Sequence, residues 1–418
     1  MCADKKVPDI RFKGFSGEWE EKILGAIAEI KTGPFGSTLH AKAYVEDGYA
    51  IITTEHFKSG ELPIDKKGIP QVSDEDYLRL RAYLLKVGDI VFSRVGSVDI
   101  NAHVTNKQEG WLFSGRVLRV RSEKIINSEY LHHELSTSRV KKSVISRAVG
   151  QTMPSINTEI LKITPIHFPS DTVEQTTIGN YFQKLDNLIN QHQQKHDKLS
   201  NIKKAMLEKM FPKQGETVPE IRFKGFSGEW EEIQLEQIAG VRRGLTYKPS
   251  DISEDGIVVL RSSNINVDKF ELRKDDVKVN QEAVKIGLIK NGDILITSAN
   301  GSSNLVGKHT VVKGLIVNAV HGGFMLVATT KIPYFLNASM STYWYQRFLS
   351  INVSGGNGAI GNIKGRALEE VRLYIPKQEE QTAIGNYFQK LDELIHQHQQ
   401  QITKLNHIKQ ACLSKMFI

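Results

Sequence analysis

The chain has 418 residues, room for about two or three compact domains, and its 40% hydrophobic and 24% charged content is ordinary for a globular protein. Its two cysteines, Cys2 and Cys412, have no partner at metal-ligand spacing, which excludes zinc fingers and disulfide scaffolds. No apolar run approaches the ~20 residues of a membrane span and no signal-peptide core opens the chain, so a cytoplasmic location is expected. The net charge of +8 favours an acidic partner such as nucleic acid.

The first ordered stretch is residues 7–21, VPDIRFKGFSGEWEE. Ile10 and Phe12 alternate as in a short strand, Gly14 and Gly17 supply turns, and Phe15 and Trp19 are apolar anchors. The plain reading is a clip that packs a domain edge. A short helix is expected at residues 23–30, then the loop Thr32-Gly33-Pro34-Phe35-Gly36-Ser37. Strand-like runs follow at residues 49–54, 88–94 and 112–120. Asn127 or Ser128 can cap one helix reaching about Ala148, with Arg139, Lys141, Lys142 and Arg147 on its later turns. Gly150 stops it, and a loop with Gln151, Thr152 and Asn157 leads to a last strand ending at Pro169. The pattern is mixed α and β without a βαβ rhythm.

Residues 174–212 then read as a long amphipathic helix, with Asp171 and Glu174 at capping-box spacing. Steps of seven run Ile178, Leu185, His192, Leu199, Met206, with Tyr181, Leu188 and Ile202 on the adjoining position, which is a coiled-coil seam. Phe182, Ile189 and Met210 widen it. His192 and His196, four apart, could bind a metal, but a polar seam position that fixes register is the better reading because no third ligand is evident.

The second half repeats the plan. The clip returns at residues 218–232 and the helix at residues 380–418, where about 27 of 39 positions are identical, so an internal repeat organises the chain. The second seam runs Ile384, Leu391, His398, Leu405, Cys412, with Leu394 and Ile408 beside it. The insert between, residues 233–379, shares little sequence with the first, yet Gly292-Asp293-Ile294 matches Gly88-Asp89-Ile90, and a helix at residues 337–349 falls where the basic helix was. The repeat order closes into a ring with a pseudo-two-fold axis if the helices pair antiparallel. Each helix of ~37 residues is about 55 Å long, which would set two dissimilar inserts at opposite ends of a rod. Two different readers on one frame suit DNA, whose half-sites lie about one helical turn apart.

These features resemble the specificity (S) subunit of type I restriction–modification systems over essentially the whole chain. The carriers are the two IRFKGFSGEWEE clips, the EQTxIGNYFQKLD helices, GDIVFSR and GDILITS, and RRGLTYKPSDI and LRSSNI in the second half. The resemblance implies an α+β chain with two target-recognition domains (residues 1–173 and 213–379) joined by two helices (174–212 and 380–418) in an antiparallel coiled coil. It implies a bipartite, asymmetric DNA target, two methyltransferase subunits, two motor-nuclease (restriction) subunits, and no catalysis by this chain. S-adenosylmethionine, ATP and magnesium would then be cofactors of those partners, with none bound here.

The residues agree in offering no amino-methyltransferase motif. The nearest approach to a phosphate loop, GSSNLVGKH at residues 301–309, has its glycines six apart and His309 where Ser or Thr would hold magnesium. The rival classes are a self-contained DNA methyltransferase or nuclease, which would transfer labelled methyl groups unaided, and a coiled-coil scaffold that never touches DNA. Base and phosphate contacts are expected from loops between the insert strands. In the first insert these are Arg94, Ser97, Arg116 and Gln151. In the second they are Arg242, Arg243, Tyr247, Lys248, Arg261, Asn300, Ser302 and Lys308. For each, a merely solvated side chain is the alternative. Expected seam residues are Leu185, Leu188, His192, Leu199, Ile202 and Met206 with Leu391, Leu394, His398, Leu405 and Ile408. Tyr181, Phe182, Tyr387 and Phe388 either pack on the adjacent domain or dock a methyltransferase subunit. Gly179 and Gly385, costly in a helix, suggest close backbone approach.

Overall fold

The computed structural model describes residues 6–34, 44–266, 268–353 and 361–418; Cys2 and the loop positions Phe35, Gly36 and Ser37 lie outside them. The chain divides into two compact units, Met1–Gln193 with Gln400–Ile418, and Gln194–Gln399.

In the first unit β1 (Glu20–Ile23) pairs antiparallel with β8 (Pro165–Phe168). Strands β2 (Ala28–Thr32), β4 (Asp89–Ser93), β5 (Asn101–His103) and β7 (Val117–Ser122) form an antiparallel sheet in the order β2-β7-β4-β5. Strand β3 (Tyr49–Ile52) runs parallel to β6 (Leu112–Phe113). Every residue of β4 is buried, as its unbroken apolar run after Asp89 requires of a strand covered on both faces. The helix expected at residues 23–30 is instead strand, one short turn (Leu24–Ala26) and strand. Ile23, Ile27 and Ile30 are β-branched and Gly25 is a poor helix former, so pairing with β8 and β7 wins.

The single helix expected at residues 127–148 is two, α1 (Ser128–Leu135) and α2 (Ser138–Ile145). Thr137 makes the break: its hydroxyl donates to Glu134 O at 2.8 Å and accepts from Val140 N at 3.4 Å, capping α2. The first long helix, α3, spans Thr172–Lys209. Asp171 caps it by accepting from Val173 N at 2.8 Å. Glu174 does not reach back to complete a capping box, because its carboxylate is taken by Arg11.

The second unit repeats this arrangement on a different sequence. Strand β9 (Glu231–Gln234) pairs with β16 (Arg372–Ile375), and β11 (Ile252–Leu260) runs parallel to β14 (Ala319–His321). The sheet order is β10-β15-β12-β13, from β10 (Ala239–Arg243), β12 (Ile294–Thr297), β13 (His309–Val311) and β15 (Met325–Thr330). The helix expected at residues 337–349 is again two, α4 (Pro333–Ser339) and α5 (Tyr343–Asn352). The second long helix, α6, is Gln378–Lys415. One hydrogen bond survives with its partners exchanged: Asn101 Oδ1 meets His132 Nδ1 at 2.6 Å, and His309 Nδ1 meets Asn337 Oδ1 at 2.9 Å.

The clips do more than cover an edge. Arg11 donates to both Glu174 oxygens at 2.6 and 2.7 Å and to the carbonyls of Gly17 and Ser16, while Arg222 meets Glu380 at 2.8 and 2.5 Å and the carbonyls of Gly228 and Ser227. Ile10 N donates to Lys415 O and Ile221 N to Lys209 O, each at 2.9 Å. Within each unit, a clip therefore fastens the start of one long helix and the end of the other.

Inside the first unit α3 and α6 lie antiparallel: Tyr181 OH is 3.5 Å from Cys412 Sγ, and Lys409 Nζ is 2.5 Å from Asp186. In the second unit Lys203 Nζ sits 2.7 Å from Asp392. Leu185, Leu405 and Ile408 pack with the first core, and Leu199, Ile202, Met206 and Leu391 with the second. His192, Leu394 and His398 are half-buried. Leu188 is a correction, since it is exposed rather than seated in a seam. Gly179 and Gly385 show the expected approach, because an added Cβ would lie 2.9 Å from Tyr130 N of α1 or Phe335 N of α4.

Candidate nucleic-acid interface

The Gly-Asp-Ile repeat builds the base of the site in each unit. Gly88 and Gly292 take left-handed φ values of 87° and 96°, turning the chain into β4 and β12. The following aspartates are buried and close the turn by accepting from Lys86 N at 2.8 Å and Lys290 N at 2.9 Å. Each also takes an arginine from a sheet strand: Arg121 of β7 meets Asp89 at 2.6 Å, and Arg242 of β10 meets Asp293 at 3.2 Å. Arg242, expected on DNA, is thus committed to a buried carboxylate and to Gly287 O.

Arg94 is committed too. Its guanidinium donates to Gly115 O at 2.9 Å and Ile156 O at 3.2 Å, pinning the loops on either side. Its backbone N donates to Arg116 O, and Gly96 N donates to Pro154 O, so loops 94–98, 114–116 and 149–155 converge. Exposed Ser97, Arg116 and Gln151 all stand on these loops. Arg94 is what assembles them.

The corresponding loops of the second unit converge through Leu245 N to His321 O at 2.7 Å, Gly322 N to Leu260 O at 2.9 Å and Ser298 N to Phe324 O at 2.9 Å. They carry exposed Arg243 and Ser302, with half-buried Tyr247, Arg261 and Asn300. Asn300 donates to Ser262 Oγ at 3.3 Å and accepts from Ser302 N at 3.0 Å. Lys248 and Lys308 are exposed further along the same loops. Sequence reasoning passed over Phe324, whose side chain is 67% exposed among them. The signal available was an aromatic residue directly after Gly322-Gly323 at a strand end.

Phe182 and Phe388 are buried against Phe417 and Phe211 of their own units. Of the four docking candidates these two have no face left for a partner. Tyr181 and Tyr387 are half-buried, edge-on to Phe12 and Phe223. Among the described residues one group, His132, His133 and Asp186, has metal-ligand character, with ligand atoms within 4.8 Å of one another. Burial holds both imidazoles neutral, and the Lys409 ammonium already supplies the cation at Asp186. The second unit keeps that lysine–aspartate pair, Lys203–Asp392, with Asn337 and Ala338 opposite, so the group belongs to the packing of helix on domain.

Residues 16–201 and 227–407 match the family described as Type I restriction modification DNA specificity domain. The chain is 25% identical over 399 residues to the putative type I restriction enzyme MjaX specificity subunit of Methanocaldococcus jannaschii, covering 90% of this chain and 88% of that one. It is 22% identical over 393 residues to the MjaVIII specificity subunit of the same organism, covering 90% and 87%. Its fold resembles the crystal structure of a type-I restriction-modification system S subunit from M. genitalium, with a TM-score of 0.63, 14% identity and 99% of each chain covered.

Proposed function

The chain belongs to the type I restriction modification DNA specificity family, and on that premise we propose how it reads its target. It is the DNA-recognition subunit of such a system, not the subunit that carries out catalysis. Its partners are DNA and the methyltransferase and restriction subunits. In our reading residues 1–173 and 213–379 are the two target-recognition domains, each reading one half of a bipartite, asymmetric sequence. Residues 174–212 and 380–418 join them as an antiparallel coiled coil, a reading supported by the lysine–aspartate pairs within each unit. The near-identical clips and helices offer one surface twice, which suits two methyltransferase subunits, followed by two restriction subunits. S-adenosylmethionine, ATP and magnesium then serve those partners, and this chain holds none of them.

One observation carries the reading. The two loop clusters share part of their backbone hydrogen bonding, Arg94 N to Arg116 O and Ser114 N to Ile52 O in the first unit and Ser298 N to Phe324 O and Gly322 N to Leu260 O in the second, yet the side chains on them differ. Arg116 and Gln151 stand on one cluster, Arg243, Arg261 and Asn300 on the other. Arginine, asparagine and glutamine are the side chains that make paired contacts to base edges.

The test uses the chain assembled with its methyltransferase partner. Arg116→Ala and Arg243→Ala should each relax preference in a different half-site, by about 1–3 kcal/mol for a lost paired contact. Binding of the unaltered complex should fall steeply with salt. Equal weakening on every DNA sequence would instead assign both arginines to phosphate.

A further inference from the structure

The loop between β14 and β15 occupies the same place as the loop between β6 and β7. Gly322 N donates to Leu260 O as Ser114 N does to Ile52 O, and Phe324 O accepts from Ser298 N as Arg116 O does from Arg94 N. By this register Phe324 stands in the slot that Arg116 fills in the first unit. Both side chains are exposed.

Phe324 is held there by its backbone. Its carbonyl accepts from Ser298 N at 2.9 Å and Ala299 N at 3.1 Å, and Met325 N closes the turn onto Gly322 O at 2.8 Å. The two preceding glycines are wedged from below: an added Cβ at Gly322 would lie 3.3 Å from Val259, and one at Gly323 would lie 3.2 Å from Thr246 Oγ1. A phenyl ring kept in water forfeits the burial that the rest of the sheet gains. Exposure alone does not single this ring out, but its place beside Arg261, Asn300 and the Arg243 loop, in the slot of Arg116, puts it among the residues that face a ligand.

Resting on the recognition reading above, we propose that Phe324 is a specificity-determining residue of the second unit that reads the 5-methyl group of a thymine in the major groove. The hydrogen-bonding side chains around it cannot distinguish that methyl from a hydrogen. An apolar ring can, and Phe is among the side chains that make this contact. The shared slot would then be used in two ways, with Arg116 offering a paired donor suited to guanine and Phe324 an apolar face suited to thymine.

The experiment takes the chain assembled with its methyltransferase subunit and its mapped target. Each thymine of the second half-site is replaced in turn by deoxyuridine, which removes only the methyl. One position is expected to weaken binding by the unaltered complex about fourfold, the value of one apolar carbon removed from contact. Phe324→Ala should bind thymine and deoxyuridine equally at that position and keep its response elsewhere, while Phe324→Leu should retain part of the discrimination. The proposal is overturned if no position responds, or if Phe324→Ala still discriminates. It is equally overturned if Phe324→Ala loses the methyltransferase subunit instead, which would make the ring a protein contact. Failure of the unaltered complex to prefer its target at all would count against the recognition reading, a separable result.

Discussion

Arg11→Ala is expected to destabilise the first unit by about 3–5 kcal/mol and to leave the second unit untouched. The Arg11 guanidinium donates to both oxygens of Glu174, a carboxylate only 1% exposed, and to two backbone carbonyls of its own clip. The paired carboxylate holds the guanidinium even more firmly protonated than usual, chiefly through the hydrogen bond, with burial opposing and the carboxylate's charge adding. Removing it leaves a buried negative charge without its cation, together with two carbonyls that lose a donor. Arg222→Ala should do the same to the second unit through Glu380. Hydrogen exchange of each unit across a denaturant series measures both. Replacing Arg11 and Glu174 together by apolar residues of similar volume should recover most of the loss, since the cost lies in the unpaired charge. A change under about 1 kcal/mol for Arg11→Ala would show the pair to be effectively solvated.

His321→Gln is expected to remove about 3 kcal/mol of acid sensitivity from the second unit. His321 is fully buried; its Nε2–H donates to Arg242 O at 3.1 Å, and Nδ1 has no partner among the described residues. Desolvation therefore pushes the imidazole down to about 4, with nearby Arg242 acting in the same direction and Asp293 and the backbone carbonyls opposing. Because the folded state binds the proton less readily than the unfolded chain, this stability is present above pH 6.5, the ordinary value, and is lost as pH falls toward 4. Gln keeps a donor for the Arg242 carbonyl and does not titrate. Urea unfolding at stepped pH should show the altered chain with a flatter acid limb over that window. An unchanged limb would place the acid sensitivity elsewhere. The first unit has Phe113 at the equivalent strand end, so the contribution is specific to the second unit.

The scaffold was legible in the sequence because it is written twice. The repeated clips and helices announced two units built on one plan, and Gly179 and Gly385 announced a close backbone approach. The Gly-Asp-Ile runs marked two buried strands that follow left-handed turns. Properties that depend on partners distant in sequence were not legible. Glu174 has capping spacing yet serves Arg11, from 163 residues away. Arg94 and Arg242 look like free cations beside glycines, and only the fold shows the carbonyls and the carboxylate that hold them. Residues 23–30 carry a helix-like apolar spacing, but their β-branched side chains find partner strands. Phe324 reads as a core residue in any hydrophobicity pattern. Its exposure is set by the backbone around it.

The central claim is that two units built on one plan read two halves of one target independently. It is tested most directly by replacing residues 22–173 with the corresponding insert of another family member and mapping methylated sites in DNA from cells that make the chimaera with its methyltransferase partner. The account predicts a new sequence in one half of the methylated target and the original sequence in the other. Change in both halves would contradict it.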